Sequence, residues 1–106
     1  MKIIVTLPDD AVRDVTGKSG SSLMENLRNA GLPIRAECGG AMACATCHVA
    51  VDPAWIDKLG RAKGEELDLL DNSDYRTEFS RLACQIKLKD AFDGLRVTLQ
   101  LDALEG

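Results

Sequence analysis

The sequence lacks the features of membrane-spanning, exported and repetitive proteins. No apolar run is long enough to cross a bilayer, so no membrane association is expected. Residues 1–10 do not combine a basic segment, an apolar segment and a small-residue cleavage site, as an export signal does. There is no internal repeat, low-complexity tract or linker. The 106 residues therefore predict one domain over residues 1–106, in the cytoplasm or as a mature form that has lost a transit peptide.

The sequence also lacks an excess of basic residues. Its formal net charge is -4, and phosphate binding needs a basic face, so nucleic acid is not expected as a partner. Residues 65–78 hold six acids and a single base, Arg76, so this window carries the whole negative imbalance. The six acids are Glu65, Glu66, Asp68, Asp71, Asp74 and Glu78. Such a concentrated acidic segment favours a partner with a basic patch.

Hydrophobic periodicity predicts a hairpin and then a helix in the first third of the chain. Residues 2–7 and 11–16 have strand composition on either side of a short turn. Ser22 and Glu25 have the spacing of a capping box, which satisfies backbone donors at a helix start. The apolar stripe that follows consists of Leu23, Met24, Leu27 and Ala30. Gly31 is placed for a left-handed C-cap that ends the helix.

The rest of the chain predicts short strands and short helices. Strands are expected over residues 48–51, 82–88 and 95–101, and helices over residues 54–60 and 65–72. A hairpin, a helix and further strands separated by short helices indicate the α+β class. The expected architecture is one mixed sheet with a helix packed on it.

Three of the four cysteines lie within ten residues. The four, Cys38, Cys44, Cys47 and Cys84, have the spacing Cys-x5-Cys-x2-Cys-x36-Cys. A [2Fe-2S] cluster needs four ligands, for which thiolates are usual, and a plant-type site also has three clustered cysteines and a distant fourth. Residues 39–43 are mostly glycine and alanine, which would let backbone N–H groups approach the sulfurs of a compact anionic cluster. The pattern favours an iron–sulfur site.

Two other kinds of cysteine site are compatible with part of this pattern. A structural zinc site, as in a zinc-stabilised interaction module, usually pairs two Cys-x2-Cys knuckles, and here only Cys44 and Cys47 form one. A dithiol oxidoreductase would place that pair at the start of a helix in a βαβ unit, which the surrounding pattern does not supply. Both alternatives remain open from spacing alone, although the spacing favours neither of them.

Three stretches resemble the adrenodoxin and putidaredoxin group of [2Fe-2S] ferredoxins. They are "CGGAMACATCHV" at 38–49, "RLACQI" at 81–86 and the acidic "EELDLLD" at 65–71 between them. The resemblance implies a β-grasp (ubiquitin-like) fold in which Cys38, Cys44, Cys47 and Cys84 ligate the cluster. By the same resemblance, Cys38 and Cys44 hold the iron nearer the surface, and Cys47 and Cys84 hold the inner iron.

The resemblance implies one-electron transfer by a carrier that is not itself an enzyme. Members usually receive electrons from an NAD(P)H-dependent, FAD-containing ferredoxin reductase and pass them to a cytochrome P450. Donation to a ring-hydroxylating dioxygenase or to iron–sulfur cluster assembly is the alternative within the same chemistry. The acids at Glu65, Glu66, Asp68 and Asp71 are expected to dock both partners. A monomer is expected, because a shuttle needs its docking face free.

Four further features have specific expectations. His48, the single histidine, is predicted to hydrogen-bond the backbone and tie the cysteine loop to the acidic segment rather than to ligate metal. Arg81 is expected to pair with a nearby acid. Ala45 stands where relatives often have serine, so the Ala45→Ser substitution is expected to raise the reduction potential. The C-terminal residues 101–106 lack the terminal aromatic that putidaredoxin uses with its own P450.

Overall fold

One mixed five-stranded sheet organises residues 1–32 and 47–100, which are the residues that this computed structural model describes. The elements in chain order are β1 (Lys2–Thr6), β2 (Val12–Thr16), α1 (Leu23–Asn29), β3 (His48–Val51), α2 (Pro53–Leu59), α3 (Glu65–Asp71), β4 (Ser80–Leu82) and β5 (Leu95–Leu99). Two 3-10 turns cover Ala83–Gln85 and Asp90–Phe92. This is the mixed α+β arrangement that the sequence predicts.

The first two strands form the expected antiparallel hairpin. Ile3 of β1 lies opposite Val15 of β2, and both side chains are buried. The Leu7 N–H donates to the Ala11 carbonyl across the turn at 2.7 Å. Asp10 has a φ of 70°, a left-handed conformation that aspartate adopts more readily than most residues. The turn therefore sets the register that places Ile3 and Val15 in the core.

The last strand lies in the middle of the sheet. The strand order is β2-β1-β5-β3-β4, with β5 parallel to β1 and antiparallel to β3. Ile3 lies opposite Leu95 on one side of β5, and Val51 lies opposite Val97 on the other. A parallel pair needs a crossover connection, so β1 and β5 come together only when the intervening chain has folded. The sheet is thus held by contacts between the two ends of the sequence.

Helix α1 packs on the sheet and begins at the predicted cap. The Ser22 Oγ accepts a hydrogen bond from the Glu25 N–H at 3.1 Å. Leu23 and Leu27 are fully buried, and each stabilises the fold by about 1.5–3 kcal/mol relative to an exposed side chain. Ala30 is exposed and caps the helix, so the apolar stripe ends one turn earlier than predicted. Gly31 follows with a φ of 80°, which confirms the left-handed position.

The two short helices confirm their predictions to within one residue at each end. Asp52 precedes α2, and its Oδ1 accepts from the Ala54 N–H at 2.9 Å, while Pro53 occupies the first turn, where its missing N–H costs nothing. Helix α3 follows Gly64, whose φ is 62°. Within the described ranges, none of the helices combines the length and the apolar character needed to traverse a bilayer.

The prediction of a strand over residues 82–88 is wrong, because the strand in this region ends where the predicted one begins. Strand β4 ends at Leu82, and the chain continues as the 3-10 turn Ala83–Gln85. The Ala83 N–H donates to the Cys47 carbonyl at 2.9 Å, and the Ile86 N–H donates back to the Ala83 carbonyl at 3.3 Å. The first bond is the last one across to the segment before β3, and the second closes a turn, so the strand does not continue. A short apolar run does not by itself distinguish a strand from a buried turn.

Candidate metal centre

Two of the four predicted ligands lie in the described residues and are held close in the fold. Cys47 directly precedes β3 and is fully buried, and Cys84 is half-buried in the 3-10 turn after β4. The hydrogen bond from Ala83 N–H to the Cys47 carbonyl joins the backbone of Cys47 to the residue before Cys84. Cys38 and Cys44, like residues 39–43 and Ala45, lie outside the described residues, as does the C-terminal segment 101–106. The complete ligand set therefore stays a prediction.

The chemistry of the described pair fits an iron–sulfur cluster. Cys47 and Cys84 place two sulfur side chains on adjacent elements, and thiolate sulfur is the usual ligand for such a cluster. The surroundings of Cys47 are apolar, because Val49, Leu82 and Ala83 are all buried beside it in the core. Burial and hydrogen bonds to sulfur are the means by which a protein sets a cluster's reduction potential. Cys47 and Cys84 would ligate the cluster from positions just before β3 and just after β4.

A buried ion pair holds the turn that contains Cys84. The Arg81 Nε donates to Glu66 Oε2 at 2.6 Å, and Nη2 donates to Oε1 at 3.3 Å. The two residues are only 8% and 7% exposed. Glu66 Oε2 also accepts from the Leu82 N–H at 2.9 Å. The acid predicted to pair with Arg81 is therefore Glu66, and the pair joins α3 to β4.

Arg81 also binds backbone carbonyls on both sides of the pair. Its Nη1 donates to the Gly60 carbonyl at 2.8 Å and to the Leu59 carbonyl at 3.3 Å, at the end of α2. Its Nη2 lies 3.5 Å from the carbonyl of Gln85, the residue that follows Cys84. One guanidinium therefore connects the end of α2, helix α3 and the Cys84 turn. This network is a bidentate buried pair with further hydrogen bonds, the geometry that offsets the cost of burying charge.

The burial of Glu66 corrects its place among the predicted docking acids. Its two carboxylate oxygens are bonded to Arg81 and Leu82, and only 7% of the residue is exposed, so it has little surface to offer a partner. Helical spacing could have indicated this, because Glu66 and the fully buried Leu70 are four residues apart and share one face of α3. The charges of these acids alone did not indicate that Glu66 is buried whereas the other acids of α3 are exposed.

The other acids of α3 lie on the solvent face. Glu65 and Asp68 are exposed one turn apart, and Asp71 follows on the same side. The Asp71 carboxylate pairs with Arg76 Nε at 2.8 Å, with both side chains about half exposed. Exposed pairs of this kind contribute little to stability, so the Asp71–Arg76 pair is open to competition from other charges. Among the described residues, Asp71 of this face is paired with a basic side chain, and Glu65 and Asp68 are not.

His48 connects the Cys47 segment to the acidic helix, as the sequence predicted. Its Nε2 is hydrogen-bonded to the Ser80 Oγ at 2.6 Å, and its Nδ1 lies 3.5 Å from the Ser73 Oγ. Ser80 lies in β4, and Ser73 follows α3, where its N–H donates to the Leu70 carbonyl. Two of the ring's contacts are therefore serine hydroxyls. The sequence carried no signal that marked these two serines.

The family model of the 2Fe-2S iron–sulfur cluster binding domain matches residues 8–89. This chain belongs to that family. The ferredoxin CtmE of Castellaniella defragrans is 44% identical over 98 residues, covering 90% of this chain and 92% of the relative. The mitochondrial adrenodoxin homolog of Saccharomyces cerevisiae is 38% identical over 99 residues, which cover 93% of this chain. This chain spans 58% of the length of the yeast relative.

A solved structure supports the same family by its shape. A chain of the covalent putidaredoxin reductase–putidaredoxin complex matches with a TM-score of 0.87 and 34% identity, covering 93% of this ferredoxin and 97% of that chain. The β-grasp prediction is thereby confirmed. The ferredoxin is a one-electron carrier of the adrenodoxin and putidaredoxin type that contains a [2Fe-2S] cluster, and it is not an enzyme. The zinc and dithiol alternatives are set aside.

We predict that Glu66→Gln lowers stability by about 3–5 kcal/mol, because it leaves the buried Arg81 charge without its partner. Urea unfolding followed by far-UV circular dichroism and by visible cluster absorbance measures the effect. Asp68→Asn on the same helix is the matched control, and its exposed position predicts a change within about 0.5 kcal/mol. Equal urea midpoints for the two variants would show that the buried pair does not stabilise the fold.

Proposed function

We propose that this ferredoxin receives electrons from an NAD(P)H-dependent FAD reductase and delivers them to a cytochrome P450. The observation that carries the proposal is the connection between the exposed acids of α3 and the Cys84 turn through Glu66 and Arg81. A partner bound on this helix lies beside the part of the fold that would ligate the cluster. The neighbouring solved structure is itself a covalent complex with a reductase, which supports the first half of the proposal.

The ligand assignment in this proposal is Cys38, Cys44, Cys47 and Cys84. When bound, the [2Fe-2S] cluster takes up and gives back one electron. The protein's own residues hold the cluster, keep its inner side dry and present a charged face to each partner in turn. The P450 as acceptor comes from the resemblance to the adrenodoxin and putidaredoxin group. A carrier must bind two partners and leave both quickly, which suits exposed, salt-sensitive charges.

The docking surface is proposed to consist of Glu65, Asp68 and Asp71. All three are exposed on α3, and no basic residue of the described chain pairs with Glu65 or Asp68. Complementary charges steer encounter and raise association rates, whereas they add less to the lifetime of the complex. The proposed contact is therefore fast and sensitive to ionic strength, as repeated electron delivery requires.

The experiment that tests the proposed partners is affinity capture with a defined readout. Cluster-loaded ferredoxin is immobilised, native extract of the source cells is applied at low salt, and bound proteins are eluted with a salt gradient. We expect a flavoprotein reductase and a haem protein whose reduced carbon monoxide complex has the thiolate-haem Soret band. A Rieske oxygenase or a cysteine desulfurase in place of the haem protein would overturn the P450 assignment.

We predict that Asp68→Asn with Asp71→Asn slows reductase turnover by about tenfold at low salt, because two steering charges are lost. The visible spectrum should stay unchanged. Stopped-flow reduction at several ionic strengths measures the effect. Asp9→Asn with Asp10→Asn, which alters the same charge in the exposed β1–β2 turn, is the control and should have little effect. Equal rates for both double variants would remove the docking assignment.

Arg76→Gln is predicted to speed reductase association about threefold at low salt, because Asp71 loses its internal competitor. Arg61→Gln removes an equal charge from the exposed pair with Glu78, so it reports the general effect of net charge. Association rates of the single variants and of Asp71→Asn with Arg76→Gln complete a double-mutant cycle. If Arg76→Gln acts equally with and without Asp71, the competition does not occur.

A further inference from the structure

Gln85 lies beside the sulfur of a proposed ligand and has no role in the function described so far. Its side-chain Nε2 donates to the Cys84 Sγ at 3.5 Å, a normal distance for a hydrogen bond to sulfur. Gln85 is exposed, and Cys84 is half-buried. A hydrogen bond from an amide to a ligand sulfur affects the reduction potential of the cluster, and so it affects electron transfer.

The backbone of Gln85 is fixed from the interior. Its carbonyl is within 3.5 Å of Arg81 Nη2, and Arg81 is locked by Glu66. The turn that contains Gln85 is closed by the bond from the Ile86 N–H to the Ala83 carbonyl, and the Ala83 N–H in turn donates to the Cys47 carbonyl. The starting point of the side chain is therefore set by buried contacts, although the amide itself reaches the surface. The fixed backbone keeps this exposed donor close to the Cys84 sulfur.

We propose that Gln85 is a tuning residue that raises the reduction potential through its hydrogen bond to Cys84. Reduction adds one negative charge, and a donor to a ligand sulfur stabilises the more negative state. Removing the donor therefore favours the oxidised state and lowers the potential. The inference rests on the proposed function in one respect, namely that Cys84 is a cluster ligand.

The test is a substitution series at position 85, read by the midpoint potential in spectroelectrochemical titration. Gln85→Met keeps the length and removes the donor, and we expect the reduction equilibrium to move about fivefold towards the oxidised form, or ~40 mV for a one-electron couple. Gln85→Glu should lower the potential further, because it removes the donor and adds a negative charge. Gln85→Lys, which retains a donor and adds a cation, should not lower it.

A charge-matched control separates the hydrogen bond from net charge. Lys87→Gln makes the same change of one unit at an exposed position two residues away. The proposal requires Gln85→Glu to lower the potential more than Lys87→Gln does. A potential unchanged by Gln85→Met, or equal shifts for Gln85→Glu and Lys87→Gln, would overturn it.

A spectrum of the Cys84→Ser variant distinguishes failure of the inference from failure of the ligand assignment. A shifted or lost visible spectrum supports ligation by Cys84, and an unchanged potential in Gln85→Met then overturns the tuning role alone. An unchanged spectrum in Cys84→Ser shows that Cys84 is not a ligand, which overturns the assignment and the inference together. Reductase turnover is not used as a readout, because docking changes would also affect it.

Discussion

The buried pair of Arg81 and Glu66 is the interaction on which the functional part of this ferredoxin depends. It satisfies both carboxylate oxygens, the Leu82 N–H and carbonyls at the end of α2 and next to Cys84. Removing either partner would leave a buried charge without compensation. The two buried charges are therefore stable only when both residues are present. Together they hold the acidic helix against the turn that contains Cys84.

The acidic helix serves two physically different purposes on its two faces. Glu66 and Leu70 point inward and belong to the core, whereas Glu65 and Asp68 remain in water. A carboxylate buried against arginine provides a fixed position, and a carboxylate in solvent provides a long-range field that salt screens. The same residue type thus positions the helix on one side and forms the proposed docking surface on the other.

His48 provides a second connection between the Cys47 segment and the end of the acidic helix. Its ring contacts Ser80 in β4 and Ser73 just after α3, and it is fully buried. Arg81 holds the beginning of α3 through Glu66, and His48 reaches its end through Ser73. The helix is therefore attached at both ends to the strands that flank the proposed cluster site.

The sequence by itself determined the elements whose signals come from residues close together along the chain. The hairpin, the Ser22 cap, the Gly31 stop and the two short helices follow from turn chemistry and periodicity between neighbouring residues. The family resemblance added the β-grasp fold and the cluster. Tertiary structure alone decided that residues 83–85 turn, that β5 enters between β1 and β3, and that Glu66 is buried while Asp68 is exposed. These outcomes depend on partners distant along the chain, and propensity and charge at one position do not report which partner a side chain meets.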